Sequence, residues 1–341
     1  MDRSKDFKVA IWLLSVCGLI FCMVILGGVT RLTHSGLSMV QWQPLKGILP
    51  PFNQQDWIEL FDLYKKFPEF NELNKNMDVE GFKSIFWLEY LHRILGRVIG
   101  LAFFIPFLFF SLRGYIKKSM RSKYVVMFLL GGLQGLLGWY MVKSGLVNDS
   151  GVSQYRLTAH LFSAFLIYAY ILWTALGLLY PEEENKNAPS SLRLFTLFVA
   201  VYLSITIMSG GLVAGLKAGL HYNTFPLMNG ELIPEYILDM SPIYLNFFEN
   251  ITTVQFDHRI LAESTLLIII TLWYYSRKFT LSDRARLGYN LMLAMVFLQF
   301  SMGLATLLLA VPVTIASAHQ GGALILFTLT LFTLHQMRGR N

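Results

Sequence analysis

Four histidines, His92, His160, His258 and His319, each stand within the first two turns of an apolar run. Two neutral imidazoles facing each other across a helical bundle can hold haem iron from both sides. A single histidine in such a place is more simply a polar packing residue that bonds a neighbouring helix. Four at matched depth, in a chain that repeats itself, favour ligation, with His92 paired to His160 and His258 to His319. Zinc is the rival ligand. It would need further cysteine or carboxylate ligands beside each pair, and the second pair has few nearby.

Charged residues accompany the histidines. Arg93 and Arg259 directly follow His92 and His258, and Arg97 lies one turn beyond Arg93. An arginine inside an apolar run is costly and usually functional. At the edge of a membrane it can meet haem propionates or snorkel to the interface. Glu89 stands three residues before His92, on the same helix face, where the other half of the chain has Gln255. A carboxylate beside one site alone gives the two sites different work, unless Glu89 merely pairs with Arg93 or Arg97. Glu263 takes the place of Arg97 in the second half.

The elements that position these groups are membrane helices. Of 341 residues, 55% are hydrophobic and 14% charged, well below the roughly 25% charged of a soluble domain. Eight apolar runs reach the ~20 residues of a spanning helix, at about 9–29, 85–112, 124–142, 157–180, 194–214, 253–276, 288–309 and 313–335. The net charge of +7 comes from basic residues in short connections and excludes a nucleic-acid surface in favour of a topology signal. Arg3, Lys5 and Lys8, then Arg113, Lys117, Lys118, Arg121 and Lys123, then Arg277, Lys278, Arg284 and Arg286, and finally Arg338 and Arg340 share one side, so both termini are expected in the cytoplasm. In the connection 181–193, Glu182, Glu183 and Glu184 outweigh Lys186 and Arg193, but acidic residues count little in topology. The long connections 30–84 and 215–252 then lie outside. The first should hold short amphipathic helices, since Trp57, Leu60, Phe61 and Tyr64 recur at helical spacing. The two cysteines, Cys17 and Cys22, sit in the first run and form neither a disulfide framework nor a zinc motif.

The chain also repeats. Gly27-Gly28 recurs as Gly210-Gly211, "LEYLHRILG" as "VQFDHRILA", "LQGLLGWYMV" as "LQFSMGLATL" and "LTAH" as "ASAH", always in the same order. The expected fold is therefore all-α: two tandem, pseudo-symmetric four-helix bundles, residues 1–186 and 187–341, related by an axis along the membrane normal. Small residues at 27–28, 131–132, 135, 138, 210–211 and 321–322 suit close helix packing, a macrocycle against backbone, or self-association of the chain.

These motifs resemble the haem A synthase family, membrane enzymes of terminal-oxidase biogenesis. "GGVTRLTHSGLSMVQWQPLKGILPP" at 27–51, "EYLHRILGR" at 89–97, "LTAH" at 157–160, "FDHRILA" at 256–262 and "SAHQ" at 317–320 carry the resemblance. The first outer connection lacks the cysteine pair of several bacterial members, as in the proteobacterial and mitochondrial branch. The resemblance implies oxidation of the C8 methyl of haem O to a formyl group by successive hydroxylations. It implies a haem b cofactor on His258 and His319, and substrate haem on His92 and His160. Glu89 is then a proton acceptor, or a charge that stabilises an electron-deficient methyl carbon. Arg93, Arg97 and Arg259 are candidate propionate contacts. The expected location is the bacterial inner membrane, with the haem sites near the periplasmic face. Pathway logic makes haem O synthase a candidate partner. No dinucleotide, flavin or iron–sulfur motif names the electron acceptor. The competing functions are a di-haem b-type electron-transfer protein without substrate chemistry and a transporter.

Overall fold

The computed structural model describes residues 3–40, 48–145, 151–181 and 189–338. The segment 41–47 of the first outer connection, Glu182, Glu183, Glu184, Lys186 and Arg340 lie outside them. The elements are α1 (Arg3–Leu32), α2 (Gln54–Tyr64), α3 (Pro68–Leu73), α4 (Val79–Leu112), α5 (Arg121–Gly145), α6 (Gln154–Leu179), α7 (Ser190–Gly215), α8 (Asn246–Glu249), α9 (Ile251–Ser276), α10 (Asp283–Leu308) and α11 (Val313–Gln336). Among the described residues there is no strand, only an isolated bridge between Met228 and Glu231.

Each of the eight apolar runs lies in a long helix. Seven of these are long and apolar enough to cross a membrane, not eight. The remaining one, α9, is 26 residues long, but Asp257, Arg259 and Glu263 fall in its first half and dilute its apolar character. Helix ends reach beyond the hydropathic runs because capping, not hydropathy, sets them. Asp78 accepts from the amide of Gly81 at 2.8 Å and starts α4 before its apolar run begins. Asn250 accepts from the amides of Thr252 and Thr253 and starts α9.

α1, α6, α7 and α11 occupy the middle of the molecule, with α1 against α6 and α11, and α7 against α6 and α11. Leu13, Val16, Phe165, Leu172, Val199, Leu203, Leu324 and Phe327 fill the core between them. α4 and α5 close a ring with α1 and α6, and α9 and α10 close one with α7 and α11. The outward face of α5 leaves Leu129, Leu133 and Leu136 exposed, as a lipid-facing helix does. Across the middle, Gln320 Nε2 of α11 donates to the Val24 carbonyl of α1 at 2.8 Å. Gly28 leaves room for it: a Cβ there would lie 2.7 Å from Gln320 Oε1.

α4 has 34 residues, about 51 Å at 1.5 Å per residue, so it overruns a hydrocarbon core of roughly 30 Å. Its first turns carry Phe82, Ile85 and Phe86, which pack on Trp57, Phe61 and Tyr64 of α2. The amphipathic helix expected in the first outer connection is therefore present. Asn53 caps it, accepting from the Asp56 amide at 2.8 Å, and it clamps the end of α4 that bears Glu89 and His92. The second outer connection is organised by Asn246 and Asn250. Their side chains bond the carbonyls of Met240, Ile243 and Tyr236 just before α9.

Candidate functional site

Each of the four histidines rests against a helical glycine of a neighbouring helix. A Cβ at Gly27 of α1 would lie 3.3 Å from His92 Nε2. One at Gly138 of α5 would lie 2.9 Å from His160 Cε1, one at Gly210 of α7 3.1 Å from His258 Cε1, and one at Gly303 of α10 2.8 Å from His319 Cε1. Gly27 and Gly210 hold corresponding places in the repeat, as do Gly138 and Gly303, so both halves seat their imidazoles in the same way. Gly303 lies in a repeated motif but was not among the glycines singled out by sequence. A Cβ at Gly131, Gly132 or Gly135 would meet nothing within 4 Å, so these three do not serve close packing among the described helices of the chain.

His160 stands near His92, and His258 near His319. A ring nitrogen of each of His160, His258 and His319 is engaged by groups that sequence reasoning missed. Gln134 Nε2 reaches His160 Nδ1 at 3.1 Å and donates to the His160 carbonyl at 2.8 Å. Gln299 Nε2 donates to the His319 carbonyl at 2.9 Å, while His319 Nδ1 lies 3.2 Å from the Gln299 carbonyl. Ser209 Oγ is 2.8 Å from His258 Nδ1. Such partners fix the ring plane and tautomer of a ligating histidine. The signal was available for two of them, since Gln134 and Gln299 hold the same position in "LQGLLGWYMV" and "LQFSMGLATL". Among the described residues no three of His, Cys, Asp and Glu converge as a metal-binding group.

Glu89 is 2% exposed. Its Oε2 accepts from Ser38 Oγ and from the Met39 amide, both at 2.7 Å. Its Oε1 accepts from Arg93 Nε at 3.0 Å and from an Arg93 terminal nitrogen at 2.5 Å. Arg93 also donates to the Met39 carbonyl at 3.0 Å. Arg97 donates to the Arg93 carbonyl at 3.0 Å and does not appear among the partners of Glu89.

The second half repeats this arrangement without the carboxylate. Gln255 Nε2 and Arg259 both donate to the Tyr222 carbonyl, at 3.0 and 2.6 Å, and Arg259 also donates to Thr224. Gln255 Oε1 and Arg259 Nε are buried without a hydrogen-bond partner among the described residues. The loops that supply these carbonyls correspond as well. His34 and Lys217 both adopt left-handed backbone, at φ 52° and 54°, five residues before Met39 and Tyr222. This repeat of "HSGLSM" and "KAGLHY" was also missed, because side-chain identity has drifted while backbone shape has not. His335 lies at the opposite end of α11 from His319, against Trp173 and Arg338.

All-helical among its described residues, with several helices long and apolar enough to cross a membrane and four histidines seated on glycines of neighbouring helices, the chain falls in the class of polytopic helical membrane proteins. Comparison places it more closely. The model for cytochrome oxidase assembly proteins, COX15-CtaA, matches residues 10–331, and the chain belongs to that family. It is 53% identical over 333 residues to a protein of Nitrosospira multiformis named heme A synthase, covering 97% of this chain and 93% of that one. It is 44% identical to human heme A synthase COX15, over 99% of this chain and 84% of that one, and 43% identical to the Arabidopsis thaliana protein of the same name, over 97% and 74%.

Proposed function

We propose that this chain is a haem A synthase that oxidises the C8 methyl of haem O to a formyl group by successive hydroxylations. The observation that carries the reading is the difference between Glu89 and Gln255 in two otherwise matched surroundings. One half has a fixed negative charge one turn before its first histidine, and the other has a neutral amide in the same place.

In this reading His92 and His160 hold the substrate haem within residues 1–186, and His258 and His319 hold haem b within residues 187–341. The fit is supported by the glycine seats and, among the described residues, by the lack of a third His, Cys, Asp or Glu grouped with the histidines and by the unpartnered Nε of Arg259, which suits an anionic propionate. Haem b, when bound, supplies a route for electrons from the substrate site towards an acceptor. Glu89 accepts four hydrogen bonds and is ion-paired with Arg93, so its lone pairs are engaged. That favours its role as a fixed charge, which stabilises positive character developing at the methyl carbon, over a role as a mobile base. Arg93 holds Glu89 in place and ties α4 to the loop at Met39. Arg97 and Arg259 are the propionate candidates.

We further read α9 as an eighth span. Its charged first half then lies at the interface, and its remainder, through Ile268, Ile269 and Ile270, lies in lipid. Eight spans put both termini in the cytoplasm and the histidines near the periplasmic face of the inner membrane. Haem O synthase remains the partner class that would supply substrate, and self-association is open to test. The direct test is expression with a source of haem O, followed by chromatography of the extracted haems. A formyl-bearing product is expected. Haem b alone in both sites, with haem O unchanged, would instead favour the electron-transfer reading.

A further inference from the structure

Glu69, in the first turn of α3, is 3% exposed and plays no part in the scheme above. Its Oε2 has no hydrogen-bond partner among the described residues. The titratable and charged groups that face it are Tyr64 of α2, the ion-paired Glu89 of α4, and the exposed Lys217 beyond α7. Tyr64 is itself fully buried, and its phenol oxygen accepts from Asn74 Nδ2 at 2.7 Å. A carboxyl buried without an ion-pair partner is disfavoured as an anion. Burial first, and then the charge of Glu89, push the Glu69 carboxyl up to about 8, with Tyr64 and Lys217 offsetting only part of this. Glu89 is enclosed differently, by Arg93, Ser38 and the Met39 amide. The two carboxyls thus differ in their surroundings: Glu89 is ion-paired, and Glu69 has a buried oxygen with no partner among the described residues.

We propose that Glu69 is a positioning residue for Glu89: a neutral carboxyl that lets the outer cap close over the substrate half with a single negative charge there, and whose ionisation sets a second charge beside the first and turns that half off. This rests on the reading of Glu89 as the carboxylate of the substrate site. Neutral Glu69 costs the cap nothing in repulsion, while ionised Glu69 must either open α3 towards water or disturb the Glu89–Arg93 pair.

The test uses the full chain with its haem b bound and measures haem A formation from about pH 6 to about pH 9.5. Wild type should lose activity above about pH 8, by about tenfold per pH unit once the proton is gone. Glu69→Gln should keep its activity across that range. Tyr64→Phe, which removes a phenol that favours the anion, should move the fall to higher pH. An infrared difference spectrum between the two pH extremes should show a protonated-carboxyl band in wild type that is absent from Glu69→Gln. An unchanged alkaline fall in Glu69→Gln, or a band that survives the substitution, overturns the proposal. If Glu69→Gln fails to assemble, as judged by its haem b absorption, an unmoved fall in Tyr64→Phe overturns it. Full haem A formation by Glu89→Gln would sink the reading of Glu89 instead, and would leave the Glu69 band where it is.

Discussion

Arg93 reaches the carbonyl of Met39 at 3.0 Å, and this contact joins the histidine-bearing end of α4 to the loop that follows α1. Arg259 makes the same contact with Tyr222 in the second half. The two halves thus hold their first histidines by one shared device. What differs is the residue between arginine and loop, a carboxylate in one half and an amide in the other.

That comparison makes Glu89→Gln a mild change for the fold and a severe one for chemistry. The variant recreates the arrangement of Gln255 and Arg259 already present in the same protein, where both donate to one loop carbonyl, so haem b absorption at His258 and His319 should be retained. If Glu89 supplies a fixed charge, haem A formation should fall about 10²- to 10³-fold, the usual loss on removing one electrostatic stabiliser. Loss of both haem b and product together would make Glu89 a structural residue.

The glycine seats separate the two halves. Gly303→Ala would press a methyl to 2.8 Å from His319 Cε1, and Gly138→Ala to 2.9 Å from His160 Cε1. The first should cost haem b and the second substrate haem, each read by absorption of the purified protein. Gly135→Ala meets nothing and should be silent, or stabilising by up to about 1 kcal/mol from helix propensity. Equal damage from Gly135→Ala and Gly138→Ala would show that helix flexibility, not the seat, is what the glycines provide.

Gln134 bears on His160 from outside the ligand pair. Gln134→Leu should weaken substrate-haem binding by roughly 10- to 100-fold, as loss of a histidine's outer partner does. Haem b should be untouched. Haem titration of the variant checks both statements at once.

The stability of the outer cap should depend on pH through Glu69. Its carboxyl keeps a proton up to about 8 in the folded cap, against an ordinary value of 4.5. Between those values the folded cap binds more protons than the opened chain, so its stability declines as pH rises through this window and levels off above it. Limited proteolysis between α2 and α4 should therefore quicken from about pH 5 to about pH 8 in wild type. In Glu69→Gln the rate should be flat. An identical pH trend in both proteins would remove Glu69 from the explanation.

Much of this was legible in sequence because the membrane enforces it. Eight apolar runs became eight long helices, and the four histidine motifs fell at matching places because duplication preserved their spacing. Hydropathy could not place the start of α4, which lies in a polar stretch set by Asp78, nor rank α9 with the other spans once Asp257, Arg259 and Glu263 were counted. Gln134 and Gln299 were visible in the repeat but silent until the rings they touch were in view. Ser209 and Glu69 gave no signal at all. Their roles arise only when α7 meets α9 and when the outer cap closes on α4.

The unequal assignment of the two histidine pairs is tested most directly by the haems that single variants retain. Protein purified from cells supplied with haem O should release haem b together with haem O or haem A. The His160→Ala protein should release haem b alone. The His319→Ala protein should lose haem b selectively. If both variants lose the same haem, or if wild type yields only haem b from both pairs, the two sites are not substrate and cofactor, and the division of labour between Glu89 and Gln255 fails with them.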